Sequence, residues 1–297
     1  MQSKSKNTAS SPAAHDGAKG RAAQRPYKPM SLPMRLVLAF VAANALAAAA
    51  SLVLFPAGTE AGFFWEITPP IGAAMFGALY LAAGLLVARA ALEGLWEPAR
   101  YLAPMVVVFT AMVLLTTYLH LDRFDGGLKL LYWLAVYAVA LVAAAFFYYQ
   151  HEIGGADWKV ADRRTMPAVR SAALAVGLLA AAFVAVGYAA PGLVMGLWPW
   201  ELTPLTTRAF LSWVGALAVG LLWVSHDPDR GRTRPVAHML VVTAALLAAM
   251  LLLHRQDLGP EPVGAWLFGA GVAGIGLLGV FMFLSGERKS GGMSRER

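Results

Sequence analysis

Polar and apolar residues are segregated along this chain into long blocks. Eight apolar runs, at Leu36–Phe55 and at 70–88, 102–119, 129–149, 169–190, 205–225, 236–253 and 263–284, are separated by short polar connections. At 1.5 Å per residue each run approaches or exceeds the roughly 30 Å of a hydrocarbon core. The pattern predicts an all-α integral membrane protein with eight transmembrane helices. The first run contains Ala-x-Ala steps of the kind a signal peptidase reads. Its place in an internal repeat argues for retention as an anchor.

That repeat lies in the connections. Trp65-Glu66-Ile67-Thr68-Pro69 returns as Trp200-Glu201-Leu202-Thr203-Pro204, 135 positions later, each copy just before an apolar run. Pro56 and Pro191 share this spacing, Leu119-His120 and Leu253-His254 are 134 apart, and Trp133 and Trp266 are 133 apart. A fixed period of this kind marks a duplicated unit. Each unit holds four spans, an even number, so both copies enter the membrane in the same direction. The expectation is a parallel four-plus-four duplication with a pseudo-twofold along the membrane normal. Residues 1–34 form a basic tail, 35–165 the first repeat, 166–284 the second, and 285–297 a second tail.

Composition supports the membrane assignment: 59% of residues are hydrophobic and 14% charged, against about 45–50% and about 25% in soluble domains. With no cysteine, disulfides, thiolate metal sites and thiol nucleophiles are excluded. The net charge of +7 does not imply a nucleic-acid partner. Lys4, Lys6, Lys19, Arg21, Arg25, Lys28 and Arg35 precede or open the first span in a Ser/Ala/Gly/Pro-rich stretch, which suits anionic membrane lipids as partners. With the amino terminus inside, all but four (Arg123, Lys129, Arg208 and Arg255) of the 24 Lys and Arg fall on the inner side. The positive-inside rule therefore puts both termini in the cytoplasm and both Trp-Glu-x-Thr-Pro phrases on the outer face.

The phrase reads locally as a helix start. Thr68 and Thr203 are expected N-caps, with Pro69 and Pro204 at the first helical position, where no N–H is needed. Glu66 and Glu201 suit the positive end of the helix dipole, and Trp65 and Trp200 the membrane interface. The functional alternative brings the two carboxylates together on the outer face to hold a cation. His120 with Asp122, and His254 with Asp257, end the third and seventh spans on that same face. Their side chains are metal-ligand types, although the spacing matches no metal signature. Arg208, one turn into the sixth span, is expected to pair with Glu201 or Glu66. Gly269-x-Gly271-x-x-Gly274 sits inside an apolar span with no preceding strand, so it is no dinucleotide loop. His151-Glu152 lacks the second histidine of a zinc-protease helix. The middles of the spans carry no charged residue, which disfavours proton or ion coupling.

Trp198-Pro199-Trp200-Glu201-Leu202-Thr203-Pro204-Leu205 followed by Arg208, and His120-Leu121-Asp122-Arg123-Phe124 followed by Trp133 and Tyr137, resemble uncharacterised multi-span membrane proteins of bacteria. The resemblance implies a bacterial plasma membrane and brings no activity with it. The first copy has Phe63-Phe64 where the second has Trp198-Pro199, and Ala73 where the second has Arg208, so any site drawn from both halves is asymmetric. The expected function is a non-enzymatic accessory or binding module that needs no cofactor or metal. Its candidate outer-face residues are Glu66, Glu201, His120, His254, Asp122 and Arg208, and its partners are membrane lipids or another membrane protein. A permease for a small uncharged solute along the interface between the repeats is the alternative. An outer-face metal enzyme using His120, Asp122 and Glu66 comes third.

Overall fold

The computed structural model describes residues 27–124, 126–153, 164–259 and 262–285. The tail through residue 26, Arg163, and the second tail from residue 286 lie outside the described residues. Among the described residues, eight helices are long and apolar enough to cross a membrane. They are α1 Leu32–Leu54, α2 Pro70–Glu93, α3 Leu102–Leu119, α4 Leu128–Ile153, α5 Pro167–Ala189, α6 Pro204–His226, α7 Arg230–Leu253 and α8 Pro262–Leu284. This is a multi-pass membrane architecture.

Several helices run further than the apolar pattern indicates, α4 and α7 among them. α4 continues to Ile153 and so carries His151 and Glu152 on helix. α7 starts at Arg230 and passes through Pro235, because Asp229 caps it: its Oδ1 accepts from the N–H of Gly231 at 2.7 Å and of Arg232 at 3.4 Å. Such a cap satisfies donors that the first turn leaves open.

The two copies of the repeated phrase start their helices differently. Thr203 is the N-cap of α6, its hydroxyl accepting from Thr206 N–H at 3.2 Å, and Pro204 occupies the first turn, as the sequence predicts. The expected roles of Thr68 and Pro69 are corrected. α2 begins at Pro70, and Pro69 precedes it in an extended conformation. The reason is the second proline: a residue before proline is excluded from the helical region, so Pro69 cannot open the helix. The Ile71 N–H donates instead to Asp257 Oδ2 at 3.1 Å, from a segment 186 residues away.

α2 and α6 are the most buried spans. α2 packs along α1 and α7, α6 along α5 and α3, and the pairs α3–α4 and α7–α8 complete the bundle. Phe76 of α2 and Phe210 of α6 stack between the two buried helices, with centroids 4.0 Å apart and planes at 17°. Close approach of α1 and α2 depends on Gly77. A Cβ there would meet Val53 Cγ2 at 2.6 Å and the Val53 backbone nitrogen at 3.0 Å. Gly94 ends α2 in the left-handed region (φ 63), the usual place for glycine after a helix.

Several features recur at matched spacing. α1 and α5 each span 23 residues, starting at Leu32 and Pro167. Pro29 bridges Leu95, and Arg164 bridges Asp229. Arg35 Nε donates to Ala91 O at 3.0 Å, and Arg170 Nε to Ser225 O at 2.8 Å.

Candidate functional site

Within each Trp-Glu-x-Thr-Pro phrase burial alternates from residue to residue. Trp65 and Ile67, like Trp200 and Leu202, are buried, whereas Glu66, Thr68, Glu201 and Thr203 are exposed. Both tryptophans are thus buried in the protein, 6% and 3% exposed. Trp65 packs against Phe63, Phe76, Phe124 and Trp133, with ring centroids 4.9–6.2 Å apart. Trp200 packs against Trp198, Phe210 and Phe268. Such edge and tilted contacts add to simple burial. Trp200 also crosses to the other half, where its Nε1 would lie 3.4 Å from a Cβ on Gly72 of α2.

The exposed carboxylates of Glu66 and Glu201 make no ion pair with a described residue. Arg208 pairs with neither of them, which corrects the sequence expectation. Its Nη1 lies 2.8 Å from His120 Nε2, and its Nε donates to the Tyr188 carbonyl at 3.1 Å. The guanidinium also lies over the Tyr188 ring, 5.8 Å from its centroid. The pairing follows from helix packing: α3 and α6 run side by side, so the residue closing α3 meets the first turns of α6.

Arginine can only donate, so His120 Nε2 must accept and the ring proton sits on Nδ1. Burial, followed by the charge of Arg208, holds the His120 imidazole below the ordinary histidine range, and the ring is neutral at pH 7. The result is a half-buried guanidinium with no carboxylate partner among the described residues. It is oriented by one imidazole and one backbone carbonyl.

The remaining candidates separate from this pair. Asp122 forms a local surface pair with Arg123 at 3.2 Å. His254 Nδ1 lies 3.4 Å from Asp257 Oδ2, the oxygen that caps α2. Among the described residues, no three His, Asp or Glu side chains converge as metal ligands would.

From Arg208 a polar chain continues into the bundle. The Tyr188 hydroxyl donates to Met112 O at 2.7 Å and lies 2.5 Å from Thr116 Oγ1. Thr116 and Thr117 line a cavity of about 10 Å³ together with Tyr80, Trp65, Phe76 and Trp213, room for about one water. Trp133 Nε1 donates to Thr117 Oγ1 at 2.9 Å, and the Tyr80 and Tyr137 hydroxyls are 2.6 Å apart. Trp213 packs on Phe109 at 4.2 Å and on Tyr80 at 4.9 Å.

Tyr188 and Thr116 had no signal in the sequence beyond being polar residues inside apolar runs. At the end of the bundle where α1 begins and α8 ends, sequence reasoning also missed two buried ion pairs. Arg100 meets Glu152 at 3.0 Å, with Trp96 Nε1 donating to the same carboxylate at 3.2 Å. Arg232 Nε meets Asp227 Oδ2 at 3.0 Å and Asp229 Oδ2 at 3.8 Å. The usable signal for the second was Asp227-Pro228-Asp229-Arg230, an acidic stop–start between two apolar runs. Comparison with protein-family models, curated proteins and solved structures finds no match to this chain.

Proposed function

We propose that this chain is a non-enzymatic binding module of a bacterial plasma membrane, and that Arg208 and His120 form its recognition site on the outer face. In this reading the bundle is a parallel four-plus-four duplication with both termini cytoplasmic. The matched spacings support the duplication: α1 and α5 start 135 residues apart, as do Pro29 and Arg164, while Leu95 and Asp229 are 134 apart. The packing supports it reciprocally, since α3 lies along α6 and α7 along α2. Phe76 and Phe210, also 134 apart, stack on each other as residues beside a twofold axis do. The distribution of Lys and Arg supports the orientation.

One observation carries the function. Arg208 is partly buried and held in place by His120 and the Tyr188 carbonyl, with no carboxylate from the described residues. A guanidinium so fixed forms strong charge-assisted bonds with an incoming carboxylate. The partner is another membrane protein that presents an acidic side chain at the outer interface. A permease for a small uncharged solute is the second reading, favoured by the small cavity between α2, α3, α4 and α6, whose mostly apolar lining includes Tyr80, Thr116 and Thr117. The aromatic contacts of Trp213 and the Phe76–Phe210 stack favour the binding module over it.

The test is native mass spectrometry of the chain extracted in lipid nanodiscs. Wild type is expected to retain a stoichiometric second polypeptide, and Arg208→Gln to lose it while remaining folded. A lone wild-type chain that carries glycerol across liposome membranes would move the function to the permease.

A further inference from the structure

At the end of the bundle where α1 begins and α8 ends, a second cationic site is built from different helices. Its existence does not depend on the outer-face reading. Arg234 and His238 lie one turn apart on α7, four residues apart and so on one face. Arg89 reaches them from the last turns of α2, its Nη1 3.4 Å from His238 Nδ1. Phe283 of α8 supports the group: Arg234 Cζ lies 5.0 Å from its ring centroid, and the His238 ring 5.1 Å away. Arg230 borders the group, donating to the Phe283 carbonyl at 2.7 Å.

The acid content of this site is low. Glu93 pairs with Arg89 at 2.7 Å, both side chains being well exposed. Arg234 is exposed and makes no ion pair with a described residue. A contrast comes from the position 134 residues earlier. There Arg100 is 1% exposed, lies over Trp223 at 5.5 Å, and is paired with Glu152. Trp223 in turn lies 134 residues after Arg89. Where the first location holds an aromatic ring and an internal carboxylate, the second holds another arginine and stays open. One turn toward the middle of α2, α7 and α8, Leu85, Val242 and Val280 are 49%, 38% and 42% exposed, which sets the cluster at the edge of the apolar belt.

We infer that Arg89, Arg234 and His238 hold the headgroup phosphate of an anionic glycerophospholipid. Arginine forks match phosphate oxygens and attract anionic lipid at a membrane surface. The apolar stems and the exposed apolar side chains one turn deeper leave the acyl chains in the hydrocarbon. A lipid is the occupant, not a free anion, because the cations are gathered at that boundary.

The experiment is native mass spectrometry of the delipidated full chain titrated with phosphatidylglycerol or phosphatidylcholine, with inorganic phosphate as a separate competitor. Phosphatidylglycerol is expected to bind more tightly than phosphatidylcholine. Arg89→Gln/Arg234→Gln weakens phosphatidylglycerol binding by about tenfold or more, two surface cations being removed, and leaves phosphatidylcholine unchanged. Glu93→Gln removes the competing carboxylate and strengthens phosphatidylglycerol binding, a gain that misfolding cannot imitate. Unchanged phosphatidylglycerol binding in the double variant, no gain in Glu93→Gln, or displacement of the lipid by millimolar inorganic phosphate would each overturn the site.

Discussion

Arg232→Met is expected to destabilise the bundle by about 3–5 kcal/mol, the cost of leaving the buried Asp227 carboxylate without its cation. Arg232, Asp227 and Asp229 are all at most 6% exposed. Arg232 Nη2 and Nε donate to Asp227 Oδ1 at 3.0 and 3.2 Å, and Asp229 caps the helix that carries the arginine. Removing the cation leaves two carboxylates facing each other in a low dielectric. Asp227→Leu/Arg232→Met is expected to recover part of the loss, because an apolar replacement of both partners avoids the desolvation of charge. Recovery stays incomplete, since Asp227 Oδ1 also accepts the Asp229 N–H at 2.9 Å. Reversible unfolding in mixed micelles, followed by fluorescence of the nine tryptophans, measures both. A cost below about 1 kcal/mol for Arg232→Met would mean that the pair is open to water.

The second large effect concerns the stack between the buried helices. Phe76→Ala and Phe210→Ala are each expected to cost about 3 kcal/mol, the low end of the range for truncating a buried aromatic. The low end applies because lipid is as apolar as the core, so little transfer energy is lost and the cavity dominates. Phe76 also touches Trp65, and Phe210 touches Trp198 and Trp200, so each truncation loosens one aromatic cluster. A double-mutant cycle is expected to return a coupling of about 1 kcal/mol, as for an offset aromatic pair. Additive losses would show that the two rings do not share a contact.

The spans were legible because a lipid solvent forces long, uninterrupted apolar runs. Their ends were less so: α7 begins before Pro235 only because Asp229 caps it, and α4 reaches Ile153, carrying Glu152 toward Arg100. The Thr203 cap was readable from four adjacent residues. The Thr68 cap was misread because Pro70 displaces the helix start, and its replacement, Asp257, comes from another part of the chain. Arg208 shows the general limit. Charge complementarity pointed to Glu201, seven residues away, whereas packing of α3 on α6 delivers His120 from 88 residues away. Likewise nothing in the composition of the phrase shows that every second side chain, the tryptophans included, turns into the protein.

Everything assigned to an outer face rests on both repeated phrases lying on the same side of the membrane, away from the cytoplasm. The chain contains no cysteine, so a single introduced thiol can be labelled without background. The decisive measurement treats intact cells with a membrane-impermeant maleimide, using Glu66→Cys, Glu201→Cys and Arg164→Cys, three exposed positions. Labelling of Cys at 66 and at 201 in intact cells, with position 164 reached only after lysis, is the expected result. Labelling of the two phrases from opposite sides would contradict the parallel duplication, and labelling of both only after lysis would invert the protein and remove its outer site.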